Sequence, residues 1–408
     1  MNLSAAAKPP RVTSIDALRG FVMFTMIYVN DLDEDISPAW MKHFHGPNGM
    51  TFVDLVFPAF LFIVGMAIPV TFSRRLAAGD SPLKLLGHVL VRTASLLMIG
   101  IMMVNSESTP SARLMGISAD AWTAMMFTSA LLAFCSIGDG QGASRIVTRV
   151  LRIAGTAGIV ALALVYRSRR GGHILTLSPL HLHVSWYGIL GLIGWAYLVS
   201  ALVYLVFREH RTAIAACCVL LLGLYAADKG GEFDHAWLSK FLSVGEMLGA
   251  HPSIATAGVL LGTILLTPET ESAASRTRFT ILFALAFAAG AILVYPLWGI
   301  SKNAATPSWC LWSMSITAIL WLVFYYLADV LHLKFLTRPW EIAGRNVLLA
   351  YLLSEMMESV LNLIHLGDWY DRLAEPNLAH AASRSIGCAV VLLCFTALLN
   401  RVGFRLKL

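Results

Sequence analysis

Charge is what this sequence has least of. Asp, Glu, Lys and Arg make up 13% of its 408 residues, about half the ~25% usual in a soluble domain. Hydrophobic residues make up 57%, more apolar surface than so few charges can clothe in water. A disordered chain, a nucleic-acid-binding domain and a secreted disulfide scaffold are excluded together. Cysteine is scarce too. Cys135, Cys217, Cys218, Cys310, Cys388 and Cys394 lie in or beside apolar runs without metal-ligand spacing, and read as small buried hydrophobes. No metal site is expected. The first 14 residues hold Lys8, two prolines and Arg11 but no apolar stretch of the kind a cleaved leader requires. The first apolar run should therefore persist as a span. No convincing internal repeat is visible, which counts against transporters built from inverted repeats.

What is present is a series of long apolar runs. Twelve lie near 15–32, 51–73, 85–104, 119–137, 146–166, 186–207, 211–227, 252–267, 277–299, 309–332, 340–365 and 380–400. Runs of this length suit helices that cross a hydrocarbon layer ~30 Å thick. The expected fold is all-α: a polytopic membrane bundle of about twelve helices forming a single domain over 1–408, with a short tail at 1–13. With the N-terminus inside, eighteen Lys and Arg residues fall on inner segments and nine on outer ones. That bias predicts both termini in the cytoplasm and accounts for the net charge of +6 without any nucleic acid. The histidines run the other way: His43, His45, His173, His181, His183, His235, His251, His365 and His380 are expected in outward loops.

The stretch from Ser14 to Pro69 is the most informative. Asp16 and Arg19 stand three apart on the first span, where an internal ion pair makes both tolerable in lipid. The span ends at Tyr28-Val29-Asn30, and the acidic run Asp31, Asp33, Glu34 and Asp35 follows. That run is a solvated loop or a field that draws in a cationic acceptor. Next come Trp40, then His43-Phe44-His45, then Asn48-Gly49, and Thr51-x-x-Asp54 opens the second span with the pattern of a helix start. His43 and His45 have no further Cys or Glu-x-x-His partner that would argue for metal. An amide (Asn30), an imidazole and a carboxylate (Asp54) on neighbouring segments can supply an oxyanion donor, a general base and a group that orients the base.

These residues carry a resemblance. Ser14-Ile-Asp-Ala-Leu-Arg-Gly-Phe, Tyr28-Val-Asn30, Lys42-His43, Asn48-Gly49 and Asp54-Leu-Val-Phe-Pro58, with Lys302-Asn303 and Gly344-Arg-Asn346 through Tyr351 to Glu355, resemble the heparan-α-glucosaminide N-acetyltransferase family. More particularly, the chain looks like its short bacterial inner-membrane members, associated with use of N-acetylglucosamine. The resemblance implies acetyl transfer from cytoplasmic acetyl-CoA to a glucosamine-type amine on the far side of the membrane. By position it implies His43 as base, Asn30 as its asparagine and Asp54 as the matching carboxylate. The histidine segment is one residue longer than the family's pattern, which leaves His45 as an alternative base. The family's Gln-Arg pair in the fourth span is replaced by Ala121-Trp-Thr-Ala-Met-Met.

Coenzyme A carries phosphates that cannot cross lipid, while its pantetheine arm reaches roughly half to two-thirds of a ~30 Å core. A basic inner mouth is therefore expected, and Arg74, Arg75, Lys84 and Arg92, with Asn346, are its candidates. Ordinary positive-inside anchoring explains at least half of those basic residues equally well. His45, Asn48, Lys302, Asn303 and Glu355 are the candidates for contacting the acceptor. The implied partners are acetyl-CoA, an amino sugar and membrane lipids, with a homodimer admitted and no metal. The competing reading is an inner-membrane transporter of N-acetylglucosamine or chitin-derived oligosaccharides.

Overall fold

The computed structural model describes residues 12–408 apart from 109, 139–141, 185, 209 and 267–271. Residues 1–11 of the expected N-terminal tail therefore lie outside the described residues. The chain is a helical bundle. Its helices are α1 (Thr13–Asp31), α2 (Val56–Ala77), α3 (Pro82–Glu107), α4 (Ala112–Met115), α5 (Ala119–Ala133), α6 (Gly142–Val165), α7 (Gly188–Phe207) and α8 (Arg211–Lys229). There follow α9 (His251–Gly262), α10 (Ala273–Trp298), α11 (Pro307–Tyr325), α12 (Lys334–Ala343), α13 (Val347–Leu363), α14 (Gly367–Arg372) and α15 (Leu378–Arg401). Among the described residues, extended structure amounts to two short antiparallel pairings, Cys135–Ser136 with Arg405–Leu406 and Leu175–Leu177 with Leu180–Leu182, and an isolated bridge between Pro110 and Ser168.

Among the described residues each of the twelve apolar runs is mainly helical, so the all-α polytopic reading holds. Among the described residues, 9 helical segments are long and apolar enough to cross a membrane. The runs outside that set are α1, α5 and α13, of 19, 15 and 17 residues. Two boundaries differ from expectation. The run at 340–365 is broken into α12 and α13 where the backbone leaves helical geometry at Asn346 (φ −145°, ψ 54°); Gly344 just before it lies so close to α1 that a Cβ there would overlap the Asp16 carbonyl oxygen. The run at 252–267 starts earlier, as a continuous helix Val244–Leu265. Its first turns, Val244–Ala250, are π-helical and lead directly into His251-Pro252 in the first turn of α9, so the proline, which has no N–H to donate, falls where the π turns give way to α-helix. His251 is consequently buried within a span, at 5% exposure, and the expectation of an outward loop histidine is corrected.

The bundle is layered by burial. The most apolar windows of α2 and of Val244–Leu265 are 78% and 89% buried, whereas those of α6, α8 and α10 are 22%, 17% and 22%. The former pair is the core of the bundle, and the latter face lipid. Apolar burial gives little drive between helices once lipid replaces water, so close packing through small residues has to supply it. Gly258 and Gly262 of α9 form a Gly-x-x-x-Gly face against α2, where a Cβ at Gly258 would overlap the Phe62 carbonyl and one at Gly262 would come 2.6 Å from that of Met66. Gly258→Leu should lower the thermal stability by the ~1–3 kcal/mol of an overpacked core. Gly223→Leu on α8, where nothing lies within 4 Å, should not lower it. Melting of the two variants in detergent checks this, and equal losses would mean that the α2–α9 contact is looser than described.

Candidate functional site

At one end of α1 the chain leaves the helix and doubles back as a loop over residues 32–52 before entering α2. The loop is folded on itself. Gly46 and Gly49 lie against the ring of Phe44, where side chains would collide with it at 2.7 and 2.6 Å. Asn48 donates to the Tyr295 hydroxyl at 2.7 Å and accepts from the Ile300 N–H at 2.8 Å, while the Gly49 N–H donates to the Ile300 carbonyl at 2.8 Å. The loop is thus sewn to the α10–α11 connection, which brings Lys302 beside His43.

Asp54 is the hinge of this arrangement. Its Oδ2 accepts from the Thr51 and Phe44 N–H groups at 3.0 and 3.1 Å, and the Thr51 hydroxyl accepts from Val53 N–H at 3.2 Å. The helix-start pattern is therefore realised and uses one carboxylate oxygen. The other, Oδ1, lies 3.0 Å from His43 Nδ1 and 3.7 Å from Lys302 Nζ, with the Asp54 side chain only 2% exposed. Trp309 adds a hydrogen bond from Nε1 to the Asp54 carbonyl at 3.3 Å.

Lys302 Nζ also approaches His43 Nδ1 at 2.9 Å. A single ring nitrogen cannot donate to Asp54 and accept from Lys302 at once, so the cluster holds two alternative states. With Nδ1–H turned to Asp54, Nε2 is a free base; with Nδ1 accepting from Lys302, Nε2 carries the proton. Burial pushes the Lys302 ammonium below the ordinary lysine range, against the pull of the Asp54 charge. The turn that presents Lys302 is strained: Ala305, buried at 1%, adopts φ 48°, a left-handed conformation that non-glycine residues rarely take.

His43, Lys302, Asn303 and Asn30 line one cavity of ≈ 670 Å³, within the range of small-molecule sites. Asn30 also donates to Glu355 Oε1 at 3.4 Å. Glu355 thereby sits behind Asn30 rather than on the cavity wall. His45 turns away: it is 71% exposed and pairs with Glu34 at 3.5 Å. Of the two histidines, His43 faces the cavity. Asn48 spends its amide on the α10–α11 connection and does not line it.

A second cavity of ≈ 490 Å³ opens toward the other face. Arg19, Arg92, Arg345 and Lys407 give it four cationic side chains, with His88 and Asn346 beside them. Arg19 pairs with Asp16 at 3.1 Å, as the three-residue spacing anticipates. Arg92 lies over the Tyr197 ring at 4.7 Å, and its buried Nε has no hydrogen-bond partner among the described residues. Of the expected basic mouth, Arg92 and Asn346 line this cavity; Arg74, Arg75 and Lys84 do not. Arg75 and Lys84 instead clasp Asp80 at 2.7 and 2.5 Å and hold its carboxyl below the usual carboxylate range, Lys84 foremost. Arg74 shares the last turn of α2 with Arg75, where cations favour the helix dipole. Met26 and Ile189 line both cavities.

The acidic run is less open than its composition suggests. Asp31 is 10% exposed and accepts from Tyr370 and Ser385 at 2.7 Å each, beside Arg384 at 3.3 Å. It fastens α1 to α14 and α15. Sequence reasoning missed Arg345, Lys407, Glu246, Trp309 and His251 as cavity residues. Arg19 and Arg345 carried a signal, since charges within apolar runs belong to interiors by default. Lys407 reaches its cavity only because the C-terminal strand pairs with Cys135–Ser136, which no local pattern announces. Among the described residues no cluster suited to a metal ion occurs.

The fold and these two cavities define a multi-pass all-α membrane protein with a basic chamber on one side and a His–Asp–Lys cluster on the other. The family described as "Domain of unknown function (DUF5009)" matches residues 11–176. The chain is 38% identical over 100 residues to the human heparan-alpha-glucosaminide N-acetyltransferase, covering 24% of this chain and 15% of that protein. It is 37% identical over 95 residues to the mouse protein of the same name, covering 23% of this chain and 14% of the relative. The resemblance read from the motifs is thereby found independently over a quarter of the chain, and it spans only a small part of those relatives' length.

Proposed function

We propose that the protein is a transmembrane acetyltransferase that takes acetyl groups from coenzyme A in the basic cavity and delivers them to an amino sugar in the His43 cavity. The observation that carries this is the succession of the two cavities along α1. Arg19 lines the first, Met26 lines both and Asn30 lines the second. Eleven residues of helix separate Arg19 from Asn30, a rise of about 16 Å. That is roughly half of a ~30 Å core, the span a pantetheine arm has to cover.

In this reading Arg92, Arg345 and Lys407 hold the phosphates and Asn346 an amide or hydroxyl of the donor. His43 Nε2 takes the proton lost by the attacking amine while the nitrogen bonds to the thioester carbonyl carbon. Asn30 donates to the oxygen as negative charge develops there. Collapse breaks the carbon–sulfur bond, and the proton passes from the imidazolium to the departing thiolate, giving amide and free coenzyme A. Asp54 keeps the ring in the tautomer that leaves Nε2 free. The reading puts the chain in a bacterial inner membrane with both termini cytoplasmic.

The test is a sidedness assay. Proteoliposomes with acetyl-CoA sealed on the basic-cavity side and glucosamine supplied on the other should release N-acetylglucosamine and free thiol in equal amounts. Product formed only when both substrates share one compartment would overturn transmembrane transfer. Sugar uptake without coenzyme A binding would make the protein a transporter.

A further inference from the structure

The His43 cavity contains a second imidazole. His251 stands at the start of α9, lines the same cavity and is 5% exposed. Its Nδ1 lies 2.9 Å from the carbonyl oxygen of Glu246. A carbonyl only accepts, so Nδ1 carries the hydrogen and Nε2 of the neutral ring is an acceptor. The only hydrogen bond the ring makes to protein among the described residues is the one at Nδ1. Nε2 is open to the cavity rather than sealed in the core, so its lone pair is available to a donating group that enters in place of water.

The ring is held rather than loose. Phe57 and Trp309 meet it edge-on, with centroids at 5.6 and 6.2 Å. Trp309 is also the residue that donates to the Asp54 carbonyl, so one indole braces both histidine sites. The π-helical turn Val244–Ala250 sets the Glu246 carbonyl against Nδ1, and π-helical turns recur where a side chain has to be aimed at a functional site. Glu246 is not free to act as counter-ion for an amine, because its carboxylate pairs with Lys229 at 3.0 Å. At the mouth, Trp186 and Phe241 are 41% and 58% exposed and line the same cavity.

We infer that His251 is an acceptor-binding residue: its Nε2 accepts a hydrogen bond from a ring hydroxyl of the acceptor while Trp186 covers a face of the ring. A fixed acceptor set among aromatic walls reads a hydroxylated ring and not merely an amine. His43 serves the reacting nitrogen, and His251 fixes where the rest of the sugar lies. This rests on the acetyl-transfer reading.

The experiment compares two acceptors, glucosamine and cyclohexylamine, which share a ring-borne amine and differ in hydroxyls. His251→Ala should raise KM for glucosamine roughly tenfold, the value of one lost hydrogen bond to a buried partner, with kcat little changed. Its KM for cyclohexylamine should stay as in the wild type. His251→Gln, whose side-chain oxygen can accept in place of Nε2, should recover part of the loss. Trp186→Ala, at an exposed position that leaves the core intact, should also raise KM for glucosamine and keeps the test alive if His251→Ala fails to fold. Coenzyme A affinity should be unchanged in all three. Active wild type with an unaltered glucosamine KM in His251→Ala, or equal losses on both acceptors, overturns the inference while acetyl transfer stands. A wild-type protein that binds coenzyme A and acetylates neither amine overturns both.

Discussion

Replacing His43 with alanine should slow acetyl transfer by roughly 10²–10⁴-fold, the contribution of a positioned general base, and leave coenzyme A binding intact. The side chain lines the cavity proposed for the acceptor and is held by Asp54 at 3.0 Å, whereas the proposal assigns the donor's phosphates to the basic cavity beyond Met26 and Ile189. His45→Ala is the matched control. Two residues away, His45 is 71% exposed and pairs with Glu34, so its loss should leave turnover near wild type. Single-turnover kinetics with prebound acetyl-CoA separates the chemical step from binding. A dead His45→Ala with an active His43→Ala would show that the loop adopts another register during turnover.

How far the sequence announces all this differs element by element. The helices are legible because a lipid core leaves only one way to satisfy a lone segment's backbone, so apolar length suffices. The breaks are harder. The backbone leaves the helix at Asn346, within an apolar run that shows no such break, and His251 reads as a loop histidine although it sits in a buried span. His43, Asn30 and Asp54 were legible as an inventory of types and as motif positions. Their geometry was not, because it depends on Asn48 and Gly49 binding Ile300, some 250 residues along the chain. Arg75 and Lys84 misled for a plain reason: a basic pair near a span end serves anchoring or phosphate equally well, and only the position of Asp80 decides. The carboxylates at 31–35 misled similarly, since Asp31 turns inward to Tyr370, Arg384 and Ser385.

The largest effect after His43 is expected at Asp54, for a reason that lies in the two states of the ring. Asp54→Asn keeps the size of the side chain but removes the charge that attracts both His43 and Lys302. Lys302 Nζ, already 2.9 Å from Nδ1, then becomes the partner of that nitrogen. The hydrogen moves to Nε2, and the atom that should accept the amine's proton no longer can. Where a carboxylate fixes a catalytic histidine's tautomer, the same exchange costs ~10⁴ in turnover. Lys302→Met alone should be milder, because Nδ1–H can still donate to Asp54. Combined with Asp54→Asn it should restore part of the lost rate, since no ammonium then holds Nδ1 as an acceptor. The pH profile supplies a second signature. Asp54 raises the Lys302 pKa against burial, so removing its charge lowers that pKa further. As pH rises through it, Lys302 becomes a neutral amine able to accept from Nδ1–H, and Nε2 is freed. Asp54→Asn should therefore gain activity with increasing pH over a range where the double variant is flat. A double variant no faster than Asp54→Asn at any pH would mean that Asp54 acts through the loop bonds to Thr51 and Phe44, and that Lys302 has no hold on the tautomer.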